Sequence, residues 1–123
     1  MEEKMAKLKE YLQMETEIPF EEFKEYYTGV IDLLNKEYDK MDQTACLQAR
    51  YICTIVQANA ESRATRSKAN SKAFKKMAAK CAFWVEAIDY RLQKKEGLTR
   101  TFIEGAMNEI NQSMEEAGSG VQG

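Results

Sequence analysis

The chain has 123 residues, 44% hydrophobic and 31% charged, with a net charge of -2. That is the length and composition of one globular domain with a single modest core. It holds no run of about 18 apolar residues, so no membrane span is expected, and no histidine, so Ser-His and Cys-His nucleophile pairs and histidine-bound zinc are excluded.

The first segment, MEEKMAKLKEYLQ, is charged throughout and lacks the apolar centre of a signal peptide. Met1, Met5, Leu8 and Leu12 form the apolar stripe of a short helix within residues 1–15. Thr16-Glu17-Ile18-Pro19 interrupts it, because proline clashes with a preceding turn yet suits the first residue of a new helix. A second helix is predicted over 19–41, on the repeat Phe20, Phe23, Tyr27, Val30 or Ile31, Leu34, Tyr38 and Met41. Glu21, Glu22 and Glu25 favour its N-terminal dipole. Gly29 is its weak point, and close approach of a neighbouring helix is the expected compensation.

Asp42-Gln43-Thr44 offers caps for a third helix over 44–67. Its stripe is Ala45, Ala49, Ile52, Val56 and Ala60, widened by Cys53 and Ile55, and its alanines invite close packing. The fourth helix, over 71–95, has the clearest stripe: Phe74, Met77, Cys81, Trp84 or Val85, Ile88 and Leu92. No glycine or proline separates the third helix from the fourth. Ser67-Lys68-Ala69-Asn70-Ser71 is the best break, with Asn70 as a left-handed C-cap and Ser71 as the next N-cap. The alternative is one helix across 44–95, roughly 80 Å long at 1.5 Å per residue, which needs a partner chain to cover its stripe. Gly97 stops the fourth helix. Thr101-x-x-Glu104 reads as a capping box for a fifth helix over 100–117, with Thr99 as a rival cap. Ile103, Ala106 or Met107, Ile110 and Met114 give its apolar face. With no strand pattern, these elements predict an all-α fold: an antiparallel helical bundle of four core helices plus a short N-terminal helix. The domain is 1–117, and 118–123 is a flexible C-terminal tail.

The charge is sorted along the chain. Residues 1–42 carry a net -6, residues 43–80 a net +7 and residues 81–123 a net -3. Within the basic middle, Arg63, Arg66, Lys68, Lys72, Lys75, Lys76 and Lys80 are the candidate nucleic-acid-binding residues. On a helical wheel Lys68, Lys75, Lys76 and Lys80 lie within roughly 80° of Lys72, opposite the apolar stripe. Such a stripe binds phosphates by charge neutralisation or is a solvated face balanced by the acidic second helix. Against nucleic acid stand an acidic pI of about 5.3 and no aromatic residues interleaved with the lysines for stacking.

Two carboxylate pairs, Glu22-x-x-Glu25 and Glu86-x-x-Asp89, each share a helical face. Facing each other they would hold Mg²⁺ for phosphoester cleavage, a remote reading as a carboxylate-metal phosphohydrolase. Cys46 and Cys53 stand about 10 Å apart along one helix, too far for a disulfide, and all three cysteines read as buried small hydrophobes. Their odd number fits a reducing compartment, so the expected localisation is cytoplasmic. Asn111-Gln112-Ser113 spells a glycosylation sequon, which reads as chance without an export signal. Tyr26, Phe83 and Tyr90 fall off the main stripes and, if exposed together, form a partner surface. Gln57–Arg63 is polar for a half-buried helix: a hydrogen-bonded layer, a helix end or a recognition site. The leading expectation is a non-catalytic cytoplasmic bundle, with no cofactor and no metal, acting by protein–protein interaction or self-association as a homo-oligomer. A nucleic-acid-binding regulator is the alternative, and no membrane association is expected.

Overall fold

A computed structural model describes the backbone of residues 1–120 and the side chains of residues 1–115. Five α-helices account for most of it: α1 (Glu2–Leu12), α2 (Phe20–Glu37), α3 (Gln43–Arg66), α4 (Ser71–Tyr90) and α5 (Arg100–Gly120). A 3₁₀ turn, Tyr38–Lys40, follows α2, and a π turn, Arg91–Lys95, follows α4. Among the described residues there is no strand. The all-α expectation holds.

Consecutive helices run antiparallel. Arg50, early in α3, grips Asp89 at the end of α4 through Nε and Nη2, and Arg63, late in α3, lies over Phe74 near the start of α4. α2 runs beside α4 in the same direction: Phe20 and Phe23 present their rings to Phe74 at 5.3 and 5.4 Å, and Tyr38 meets Trp84 at 5.1 Å. The Tyr26 hydroxyl donates to the Lys4 carbonyl at 2.6 Å and fixes α1 on α2. The Tyr51 hydroxyl donates to Asn111 Oδ1 at 2.8 Å and fixes α5 on α3.

α3 is the central element. Cys46, Ala49, Ile52, Cys53, Val56 and Ala60 are buried on one face about 120° wide, and Tyr51 is buried on the opposite side. A helix with apolar residues on opposite sides belongs inside a bundle rather than on its surface. The alanines let α4 pack closely along it, and α3 and α4 make the most extensive contact in the fold. Full burial of a side chain such as Ile52, Leu34 or Ile88 is worth about 1.5–3 kcal/mol, so the weight of the core lies where α2, α3 and α4 meet. One buried donor there, Trp84 Nε1, has no acceptor among the described residues.

The link 67–70 decides between one helix and two: α3 and α4 are separate. The break differs from the expected one, because no non-glycine residue among those described has positive φ. Ser67 turns the chain instead, extended at φ -121°, ψ 104°, with its Oγ accepting the Asn70 amide at 3.3 Å. Asn70 precedes α4 without a side-chain cap. Asp42 caps α3 as expected, Oδ1 accepting the Ala45 amide at 2.8 Å. For α5 the rival cap wins: Thr99 Oγ1 accepts the Phe102 amide at 3.0 Å. Gly97, at φ +70°, makes the expected stop. α5 reaches Gly120; of the tail expected over 118–123, residues 121–123 lie outside the described residues.

Candidate functional site

α4 buries Phe74, Met77, Cys81, Trp84 and Ile88 and turns its other side to solvent. Lys72, Lys75, Lys76 and Lys80 on that side, with Lys68 on the preceding link, are all exposed. Among the described residues none of these five lysines stands within 4.0 Å of a carboxylate. The acidic second helix does not neutralise them by direct pairing.

Arg63 and Arg66 do not join this face. Glu17, in the link between α1 and α2, meets Arg66 Nη2 at 2.6 Å and Arg63 Nε at 3.7 Å. The Arg66 hydrogen bond holds the Glu17 carboxyl below its ordinary range. Arg63 also lies over the rings of Phe23 and Phe74, at 5.1 and 4.9 Å, and is only 12% exposed. So the structure gathers the five lysines of the predicted stripe, withdraws Arg63 from solvent and pairs the exposed Arg66 with Glu17.

Two residues extend the stripe in the other direction. With Lys72 at 0°, Phe83 falls at about 20° and Tyr90 at about 0°. Both are exposed, Phe83 at 55% and Tyr90 at 62%. Lys80 Nζ stands 5.2 Å from the Phe83 ring centroid. Along α4 the lysines occupy the first ~12 Å after Lys72, Phe83 follows at ~16 Å and Tyr90 at ~27 Å. Glu86, also exposed, is an acid on this aromatic half. The aromatics are therefore in line with the lysines, beyond them rather than between them. The wheel that finds the lysines also finds Phe83 and Tyr90; what it lacks is their exposure. Tyr26, expected with them, is instead buried against α1.

The other candidates disperse. Asp89 is taken by Arg50. Glu22 lies beside the Tyr11 hydroxyl and, after burial, is the second cause that pushes that phenol up to about 12. Among the described residues no three cysteine, aspartate or glutamate side chains gather as a metal-binding group. Cys46, Cys53 and Cys81 are free and buried. The thiol of Cys81 beside Cys53, together with burial, raises the Cys53 thiol far above its ordinary value. A thiol held protonated is a poor nucleophile. In the polar run, Ala60 is buried, Asn59 Nδ2 donates back to the Ile55 carbonyl at 3.0 Å and Gln57 faces Glu61 at 3.5 Å, so no hydrogen-bonded core layer forms there.

Comparison with protein families, with curated proteins and with solved structures finds no match to this chain.

Proposed function

We propose that this protein is a non-catalytic cytoplasmic interaction module whose working surface is the solvent face of α4, and that its partner there is single-stranded nucleic acid. The observation that carries this reading is that Lys68 and four lysines of α4, none paired with a carboxylate among the described residues, continue into two exposed aromatic rings on the same face of α4. Unpaired lysines gain most from a phosphate backbone, whose condensed counterions are released on contact. Exposed rings gain from bases that are free to stack, which duplexes do not offer. Three free, buried thiols agree with a reducing compartment.

The test is fluorescence anisotropy with labelled single-stranded RNA, single-stranded DNA and duplex DNA across a salt series. Single strands are expected to bind more tightly than the duplex. Five phosphate contacts give a log–log salt slope of about -3.5 for single strands. Reversing Lys72, Lys76 and Lys80 to glutamate removes about 2 from that slope and abolishes binding at physiological salt. Phe83→Ser with Tyr90→Ser keeps the slope and loses about 1–3 kcal/mol per ring, chiefly with single strands. Absence of binding to all three probes at low salt sinks the reading. One observation favours a second: Leu12, Met14, Phe83, Tyr90 and Phe102 are all exposed large hydrophobics. If self-association is their use, sedimentation shows a dimer that Phe83→Ser with Tyr90→Ser dissociates.

A further inference from the structure

Beneath the 13–19 link, away from the α4 lysines, lies a cleft of about 240 Å³. Leu8, Leu12, Phe23 and Val56 are among its apolar lining, and Arg63, Asn59 and two carboxylates, Glu15 and Glu17, are among its polar lining. Arg63 sets this cleft apart from a packing gap. Its guanidinium rests on two aromatic rings with the side chain 12% exposed. A cation so far withdrawn from water needs an anion close by. Its nearest carboxylate among the described residues is Glu17, at 3.7 Å, and Glu17 gives its short contact to Arg66. Glu17 is half exposed and lies outside any helix. The anion place on Arg63 is thus filled at a distance, by a residue whose withdrawal breaks no secondary structure.

We propose that this cleft binds a small monocarboxylate with an apolar body. The ligand carboxylate displaces Glu17 from Arg63, and the body lies along Leu8, Phe23 and Val56. A guanidinium fork takes a carboxylate through two parallel hydrogen bonds, which Glu17 does not achieve from its link. Pockets for drug-sized ligands span ~300–1,000 Å³. This smaller cleft suits a medium-chain acid such as octanoate and is too small for a nucleotide or a long-chain lipid. Each methylene buried strengthens binding about fourfold. Leu12 and Met14, exposed where the link meets α1, give the entrance an apolar lip.

The test is an amide-resolved NMR titration of the full chain with octanoate and, separately, with octanol, which has the same tail and no charge. Octanoate is expected to give saturable shifts at Leu8, Phe23, Val56 and Arg63, with octanol weaker by about tenfold or more. Glu17→Gln removes the competing carboxylate and tightens octanoate about two- to fivefold, the worth of a half-exposed ion pair. Arg63→Met keeps an apolar stem over the rings and abolishes the preference for octanoate over octanol. Should that variant fail to fold, Glu17→Gln and the octanol comparison decide alone. Absent shifts, shifts scattered over α4, equal affinity for octanol, or Glu17→Gln binding no tighter than wild type each overturn the proposal.

Discussion

Gly29 stands inside α2, where glycine costs about 1 kcal/mol relative to alanine. A Cβ at this position would come within 2.5 Å of Lys4 Nζ and 3.3 Å of Lys4 Cε, with nothing else within 4 Å. The neighbour that approaches is therefore a side-chain end from α1, rather than the backbone of another helix. That ammonium also lies 5.8 Å from the Tyr26 ring, a contact that survives a modest swing of the stem. Moving the end of a lysine is cheap, and the helix gains propensity. Gly29→Ala is predicted to stabilise the fold by about 0.5–1 kcal/mol. The measurement is the urea midpoint, which should rise at constant m-value. A falling midpoint would mean that Lys4 is fixed more firmly than a surface lysine should be.

At the scale of elements, the end of α4 ties down the chain where it leaves α2. The π turn carries Arg91 at its first position. Arg91 Nη1 donates to the Tyr38 carbonyl and Nη2 to the Met41 carbonyl, while Nε donates to Glu96 at 3.3 Å and the guanidinium lies 4.8 Å from the Tyr38 ring. The carbonyls at a helix end lack partners within their own helix. Here one side chain from across the bundle takes two carbonyls just past α2, sharing that of Tyr38 with the Met41 amide. Glu96 also accepts from Gln43 at 3.3 Å, so α2, α3 and the π turn share one polar knot. Arg91→Ala is expected to cost about 2–3 kcal/mol, as the loss of hydrogen bonds to a charged donor. Arg91→Lys should recover less than half, because a compact ammonium cannot span two carbonyls and stack on a ring. Urea unfolding of the three proteins checks both. If alanine and lysine behave alike, packing and not the fork holds the knot. None of this is legible in the sequence, where Arg91 reads as a surface cation and a π turn has no residue-type signature. Gly97 and Asp42 are legible, because positive φ and an N-cap each demand particular residues. The 67–70 link offers Asn70 and Ser71 as such marks, but the fold uses neither in the expected role, and without a glycine or proline the periodicity leaves one helix or two.

For the molecule as a whole, the fold class is legible because apolar stripes of helical period run nearly end to end with no strand alternation. The lysine face is legible for the same reason. The withdrawal of Arg63 is not, since Glu17, Phe23 and Phe74 reach it only through tertiary packing. That packing also sets the response of the fold to alkali. Burial pushes the phenols of Tyr11 and Tyr27 from an ordinary 10 up to about 12, helped by Glu22 at Tyr11 and by the Cys81 and Cys53 thiols at Tyr27. Burial raises Tyr26 as well, in the same direction. The folded chain thus keeps these protons at pH values where the unfolded chain releases them. Their stabilising contribution is complete below pH 10 and is lost as pH climbs toward 12. Glu17 acts oppositely: its lowered carboxyl contributes above the ordinary 4.5 and loses that contribution on acidification, weakly because it is half exposed. Stability measured by urea unfolding at successive pH values should therefore fall between pH 10 and 12 in the wild type. Tyr27→Phe keeps the ring and deletes one of these protons, so its alkaline slope should be flatter by less than one proton per molecule. A wild-type profile level to pH 12, or a variant with an unchanged slope, would place Tyr27 in contact with water and remove the packing of α2 on α3 and α4 as the cause.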